Sequence, residues 1–494
     1  MATQLEALKE RLYDIDALNS AAAIMSWDQQ TYMPRGGAAA RAEHLGILTR
    51  MLHEQFTSDE TGKLIESSAK SAEGDDAAMV RRVKRDFDLA TKIPSDLVAE
   101  KSRLSTLAHE EWVHARANND FQGFAPTLEK MFEIARQEAT YLGYKEHMYD
   151  ALLDQYEEGA TAADVRQMFD TLKGPLSELV KEIAKKPAPD DSALYGKWDE
   201  HKQSEFTEMM VKAIGFDMER GRQDTAPHPF CTGWSVGDIR LTTRYKEYLG
   251  SAIFGSLHEA GHGMYEQGSP VEWDRSPLRG GISLGVHESQ SRLWENIVGR
   301  SKAFWTHFLP LLQEKFPEVR SFTIDTFYRA INKVRPSFIR VEADEVTYNL
   351  HILIRFEIEC AVLTGDLKVA DIPQAWNDKY EAYLGIRPKT DSEGCLQDVH
   401  WSGAMIGYFP TYSMGNLLSY QIWHALKRDI PDVDDHLTRG DCSPVLDWLQ
   451  RKIYRMGRKA TPKELVLQVT GKPMGAEDYL TGLTDKYREI YGLS

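Results

Sequence analysis

Along almost the whole chain, apolar residues return every three or four positions, a period that permits little except a body built from helices. Leu5, Leu8, Leu12, Ile15 and Leu18 set the pattern, lining one face of the first segment. The same spacing predicts helices over 38–56, 76–91, 94–118, 124–143, 163–186, 201–215, 243–266, 284–299, 343–365, 369–384, 403–427, 444–456 and 475–491. Pro94-Ser95-Asp96, Gly143, Gly250 and Lys315-Phe316-Pro317 mark helix ends. One stretch breaks the pattern. Residues 226–245, APHPFCTGWSVGDIRLTTRY, are rich in proline and glycine and then β-branched, which predicts a loop and a short strand. No low-complexity linker or repeat divides the 494 residues. The expectation is therefore a single mainly α domain over 1–494 with a small sheet, although length alone would suggest about three domains.

Charge narrows the partners. With 59 lysines and arginines against 75 aspartates and glutamates, the formal net charge is −16, which disfavours nucleic acid and membrane surfaces. Cys231, Cys360, Cys395 and Cys442 lie far apart with no CxxC pair, which argues against a disulfide scaffold and a thiolate zinc site and suits a reducing compartment. The segment MATQLEALKERLYDIDALNS is charged and amphipathic rather than an apolar signal, and no apolar run approaches the roughly 20 residues of a membrane span. A soluble, cytoplasmic protein is expected.

The segment Gly255–Gly268, GSLHEAGHGMYEQG, carries the chemistry. On a helix, residues four apart share a face, so His258 and His262 reach one ion, and Glu259 points beside it as a proton acceptor for water. This is the HExxH arrangement of zinc peptidases. Catalytic zinc takes three protein ligands and keeps one position open. A third histidine in the metzincin spacing is absent, because Tyr265 and Gly268 occupy the required positions. Glu288, in GVHESQSRLWEN, is the preferred third ligand, with Glu295 and Glu266 as competitors. Many glutamate zincins place an aspartate four residues after the ligand to orient a histidine. Here that position is Arg292, so the partner must come from elsewhere.

HEAGH followed by HESQSRLWEN resembles the carboxypeptidase Taq family of metallopeptidases, and the resemblance runs over nearly the whole chain. It includes SWDQQTYMP at 26–34, HPF at 228–230, DIRLT at 238–242, IRVEAD at 339–344, GCLQDVHW at 394–401 and GYFPTY at 407–412. It implies a two-lobed helical fold around a deep cleft, similar to angiotensin-converting enzyme and neurolysin. It also implies a homodimer, one zinc ion that Co2+ can replace, and peptide substrates with a free C-terminus. Within that pattern Glu259 is the general base, and Tyr412, ahead of Tyr408, donates to the oxyanion. Arg340 captures the terminal carboxylate, with Arg240 and Arg387 as weaker alternatives. The strand Asp238–Thr242, with Asp238, Arg240 and Thr242, is expected to pair an extended substrate along its edge. His228 and His400 are candidate donors to a substrate carbonyl or carboxylate. The rival activities are a dipeptidyl carboxypeptidase or oligopeptidase, and a silent peptide-binding scaffold. A simple aminopeptidase is excluded, because Gly403-Ala-Met-Ile-Gly407 has isoleucine where that class has glutamate, and follows the HExxH helix.

Overall fold

Thr3 opens the first helix, Gln4–Thr31, with a capping box: its hydroxyl accepts from the Glu6 N–H, and the Glu6 carboxylate accepts from the Thr3 N–H. Leu8, Leu12 and Ile15 are buried along it, and Leu5 and Leu18 are half-buried at the ends of that stripe. The chain is described as a computed structural model over residues 3–493. Helices form at Ala38–Phe56, Ser95–Asn118 and Glu477–Tyr491, within two residues of the spacing's prediction. Further helices at Asp59–Ser68, Lys302–Lys315, Ile324–Ile331 and Pro462–Thr470 went unpredicted. Each starts behind a capping hydroxyl, from Ser58, Ser301, Thr323 or Thr461, so the cap was their signal.

The irregular stretch, with the five residues before it, holds more sheet than its composition indicated. β1 (Gly221–Thr225), β2 (Cys231–Ser235) and β3 (Asp238–Thr243) form one sheet in the order β1-β3-β2. β1 runs parallel to β3, and β2 antiparallel to it. The sequence of β1, GRQDT, has no β-branched run; its pairing with β3 makes it a strand. β3 is therefore the central strand. Both of its edges are taken, which corrects the expectation that Asp238–Thr242 pairs with substrate.

Among the described residues the apolar core divides into two large clusters and one small one. The helix Tyr348–Thr364 and the segment holding Cys395, Trp401 and Phe409 belong to the first. The helix Gly250–Gln267, which carries HEAGH, belongs to the second through Ile253, Leu257 and Met264. It starts at Gly250 rather than 243 because the chain is still in β3 at Thr243. The helix Pro410–Asp429 is a shared wall, giving Met414 and Leu417 to one cluster and Leu418 and Ile422 to the other. Among the described residues no helix is long and apolar enough to cross a membrane.

Candidate active site

His258 and His262 sit one turn apart on the helix Gly250–Gln267, their ring centroids 5.0 Å apart. Glu288 comes from the helix Leu284–Arg292, capped by the Ser283 hydroxyl. That helix is clamped between two others at glycines. A Cβ at Gly261 would lie 2.7 Å from the Gln290 carbonyl oxygen, and one at Gly415 would lie 2.5 Å from the Glu288 side chain. Only hydrogen at these positions lets the backbones close until Glu288 meets the histidines. Its Oε2 lies 3.6 Å from His258 Nε2 and 3.4 Å from His262 Nε2. The three ligand atoms fall within 4.8 Å of one another. Tetrahedral ligands at zinc bond lengths stand ~3.3 Å apart, so this donor set fits such an ion.

Neither competing glutamate joins the cluster; each sits behind it. Glu295 Oε2 is 2.8 Å from His258 Nδ1, and Glu266 Oε1 is 2.7 Å from the Nε2 of His287. The role of the missing aspartate passes to Glu295, on a stretch where the helix widens into a π-turn, Leu293–Val298. Arg292 then has a different job. Its Nε donates to Glu288 Oε1 at 2.6 Å and its Nη1 to Glu295 Oε2 at 3.2 Å. With Oε1 so engaged, Glu288 offers the cluster a single oxygen, Oε2. Burial pushes both carboxyls up, but Arg292 acting together with the histidines they meet outweighs it, holding Glu288 well below the usual carboxylate range and Glu295 at about 2. Glu259, 6 % exposed, is pushed up to about 7 by burial; His258 opposes the rise, and the charges on Glu288 and Glu295 add to it.

A second polar cluster adjoins the first. Arg340, buried, donates from Nε to Asp398 Oδ1 at 3.0 Å and from Nη1 to the Tyr348 hydroxyl at 2.9 Å. Arg355, fully buried, takes the other oxygen of Asp398 at 2.7 Å, and Gln397 Oε1 accepts from both Arg355 and the Arg340 N–H. Two guanidiniums thus share one carboxylate. The Tyr412 ring lies 5.0 Å from the Arg340 guanidinium carbon, and its hydroxyl is 3.2 Å from His400 Nε2. Tyr408 packs on Tyr412 and on Tyr156. Both tyrosines feel the charge of Glu288, which couples this cluster electrostatically to the group of His258, His262 and Glu288. Burial and the Arg340 charge hold His400 down at about 3, so it stays neutral.

Other expected contacts are placed differently. Thr242 is fully buried, and its hydroxyl accepts from the Phe230 N–H at 2.8 Å. Arg240 forms two hydrogen bonds to Asp238, at 2.9 and 3.0 Å, with its guanidinium 4.2 Å from the Trp27 ring and 4.5 Å from Trp234. Trp27 of the SWDQQ segment and Trp234 of β2 share that stacking, and Asp238 also accepts from Trp234 Nε1 at 3.0 Å, so both Asp238 and Arg240 are engaged within the protein. His228 is exposed between β1 and β2, and its pKa is lowered by partial burial first and by the charges of Arg244, Arg116 and Lys246. Arg387 forms surface pairs with Asp378 and Glu381. Arg240→Lys keeps the charge and loses the stacked fork, so we predict a stability loss of about 1–2 kcal/mol in denaturant titration. Peptide turnover at the metal is expected to change less than threefold, and a selective collapse of turnover would return Arg240 to the site.

Asp398, Arg355, Tyr348 and His287 were not singled out in the sequence. Asp398 and His287 stand inside the quoted motifs, beside residues that were chosen. Arg355 and Tyr348 look like ordinary members of an apolar helix.

Against known proteins, the family model described as carboxypeptidase Taq (M32) metallopeptidase matches residues 7–487. Thermostable carboxypeptidase 1 of Thermus thermophilus is 39% identical over 505 aligned positions, covering 99% of this chain and 98% of the relative. The protein of the same name from Pyrococcus furiosus is 40% identical over 478, covering 95% and 96%. The crystal structure of an M32 carboxypeptidase from Deinococcus radiodurans superposes with a TM-score of 0.97 at 39% identity, covering 99% of this chain and 100% of that one.

Proposed function

Because this chain belongs to the carboxypeptidase Taq (M32) metallopeptidase family, and so is a metal-dependent peptide hydrolase, we propose that it releases single C-terminal amino acids from short peptides with zinc as its metal. His258, His262 and Glu288 would hold the ion. When bound, it acts as a Lewis acid that polarises the scissile carbonyl and acidifies a water. Glu259 takes the proton from that water and returns it to the leaving amine. The buried position that raises its pKa toward neutrality suits a group that must accept and then give a proton. Tyr412 donates to the developing oxyanion.

The observation that carries the exopeptidase reading is the charge imbalance at Arg340. The hydrogen-bonded set Arg340, Arg355 and Asp398 holds one more positive than negative charge, buried beside Tyr412. A buried uncompensated cation is costly, and a substrate carboxylate restores the balance. The neighbouring cavity, about 630 Å³ and lined by Arg292, Glu295, Tyr348 and Lys333, suits a peptide of a few residues rather than a folded protein. All four cysteines are free, which fits a cytoplasmic enzyme.

Metal removal tests the cofactor. Dialysis against a chelator is expected to abolish hydrolysis of a peptide with a free carboxylate, and one equivalent of Zn2+ or Co2+ to restore it. Full activity in metal-free protein would refute the assignment.

A further inference from the structure

The two metal-binding histidines are supported unequally. His258 reaches an anion directly, through Glu295. His262 Nδ1 instead meets another imidazole, His287 Nδ1, at 2.6 Å, and His287 Nε2 meets Glu266 Oε1 at 2.7 Å. Glu266 lies one turn beyond His262 on the same helix and also accepts the Gly281 N–H at 3.2 Å. The histidine rings sit 4.7 Å apart, with the Tyr265 ring 5.1 Å from His287 on another side. Gly281 closes the pocket: a Cβ there would overlap the His287 ring. A cavity of about 330 Å³, bordered by Tyr156, Arg279 and Arg458, lies against Glu266 and His287.

We propose that His287 and Glu266 are positioning residues that, through a hydrogen-bonded relay ending on His262 Nδ1, fix this ligand's ring and set the metal affinity. The inference rests on the reading of His262 as a metal ligand. His262 Nε2 faces Glu288, so its lone pair belongs to the ion and its proton to Nδ1. That N–H donates to His287 Nδ1, which places the His287 proton on Nε2, donating to Glu266. Only one tautomer of each ring satisfies every bond in the chain. The Glu266 charge polarises His287, which makes His262 a better ligand. Removal of the His287 nitrogens leaves a buried N–H unpaired and the His262 ring free to turn.

Co2+ titrated into the metal-free full chain, followed by its visible absorption and by chelator competition, reads this directly. His287→Phe keeps a ring and loses both nitrogens, and is expected to weaken Co2+ binding roughly 10–100-fold. His287→Gln, whose amide offers one acceptor and one donor, recovers most of that loss. Gly281→Ala alters no hydrogen-bonding group yet displaces the His287 ring, and also weakens binding. Melting curves of the metal-free variants separate folding from affinity. If His287→Phe fails to fold, Glu266→Gln and Gly281→Ala carry the test, and unchanged affinity in both overturns the relay. Equal affinity of His287→Phe and the parent overturns it, as does equal weakening by Phe and Gln. A parent chain that takes up no Co2+ overturns the ligand assignment instead.

Discussion

Glu259→Gln is expected to hold its metal and lose roughly 10²–10⁴ in peptide turnover. The amide has the shape of the carboxylate but cannot accept a proton. Glu259 belongs to none of the pairs that build the ligand cluster, which comprises His258, His262 and Glu288. Its carboxylate is disfavoured in place, by burial first and by Glu288 and Glu295 in addition. Loss of that charge should leave the variant at least as stable as its parent near pH 7. Turnover, metal content and the denaturation midpoint, measured on one preparation, separate the chemical step from folding. A variant that turns over normally would remove Glu259 from the reaction. A variant that loses its metal would make Glu259 a determinant of the ligand cluster.

Arg340→Met should cut kcat/KM on peptides with a free carboxylate by about 30- to 5,000-fold, the range of a lost buried charge pair. On the matching C-terminal amides the change should be small, so the preference for the acid over the amide collapses. Asp398 keeps a partner in the variant, because Arg355 holds its other oxygen at 2.7 Å. The fold is thereby protected from an unpaired buried carboxylate, and the loss reads as recognition. An equal fall on acid and amide would make Arg340 a structural ion pair, and the direction of cutting would have to be set by another cation.

The helical body was legible because its period is a local property: a stripe at every third or fourth residue survives whatever it packs against. The HExxH pair was legible for the same reason, since two ligands on one helix are fixed by spacing alone. Glu288 was the preferred third ligand but not separable from Glu295 and Glu266 by the sequence, because three glutamates on neighbouring helical segments differ only in what their tips meet. What separates them is close packing at Gly261 and Gly415 and the π-turn at Leu293–Val298, neither of which leaves a period to read. β1 was missed because a polar strand is made by its neighbour, and with it went the fact that β3 is interior. The partners of Arg340 were hidden by distance along the chain. Arg340, Arg355 and Asp398 lie on three separate segments, and only folding brings them onto one carboxylate.

The proposed activity is removal of one residue at a time, at the metal cluster, from a free C-terminus held by Arg340. Mass analysis of the products from an N-acylated hexapeptide, run beside its C-terminal amide, tests it most directly. Single amino acids should be released in order from the C-terminus, with the amide cleaved far more slowly than the acid. Dipeptide products, internal cleavage, or hydrolysis of the amide at the same rate would contradict it.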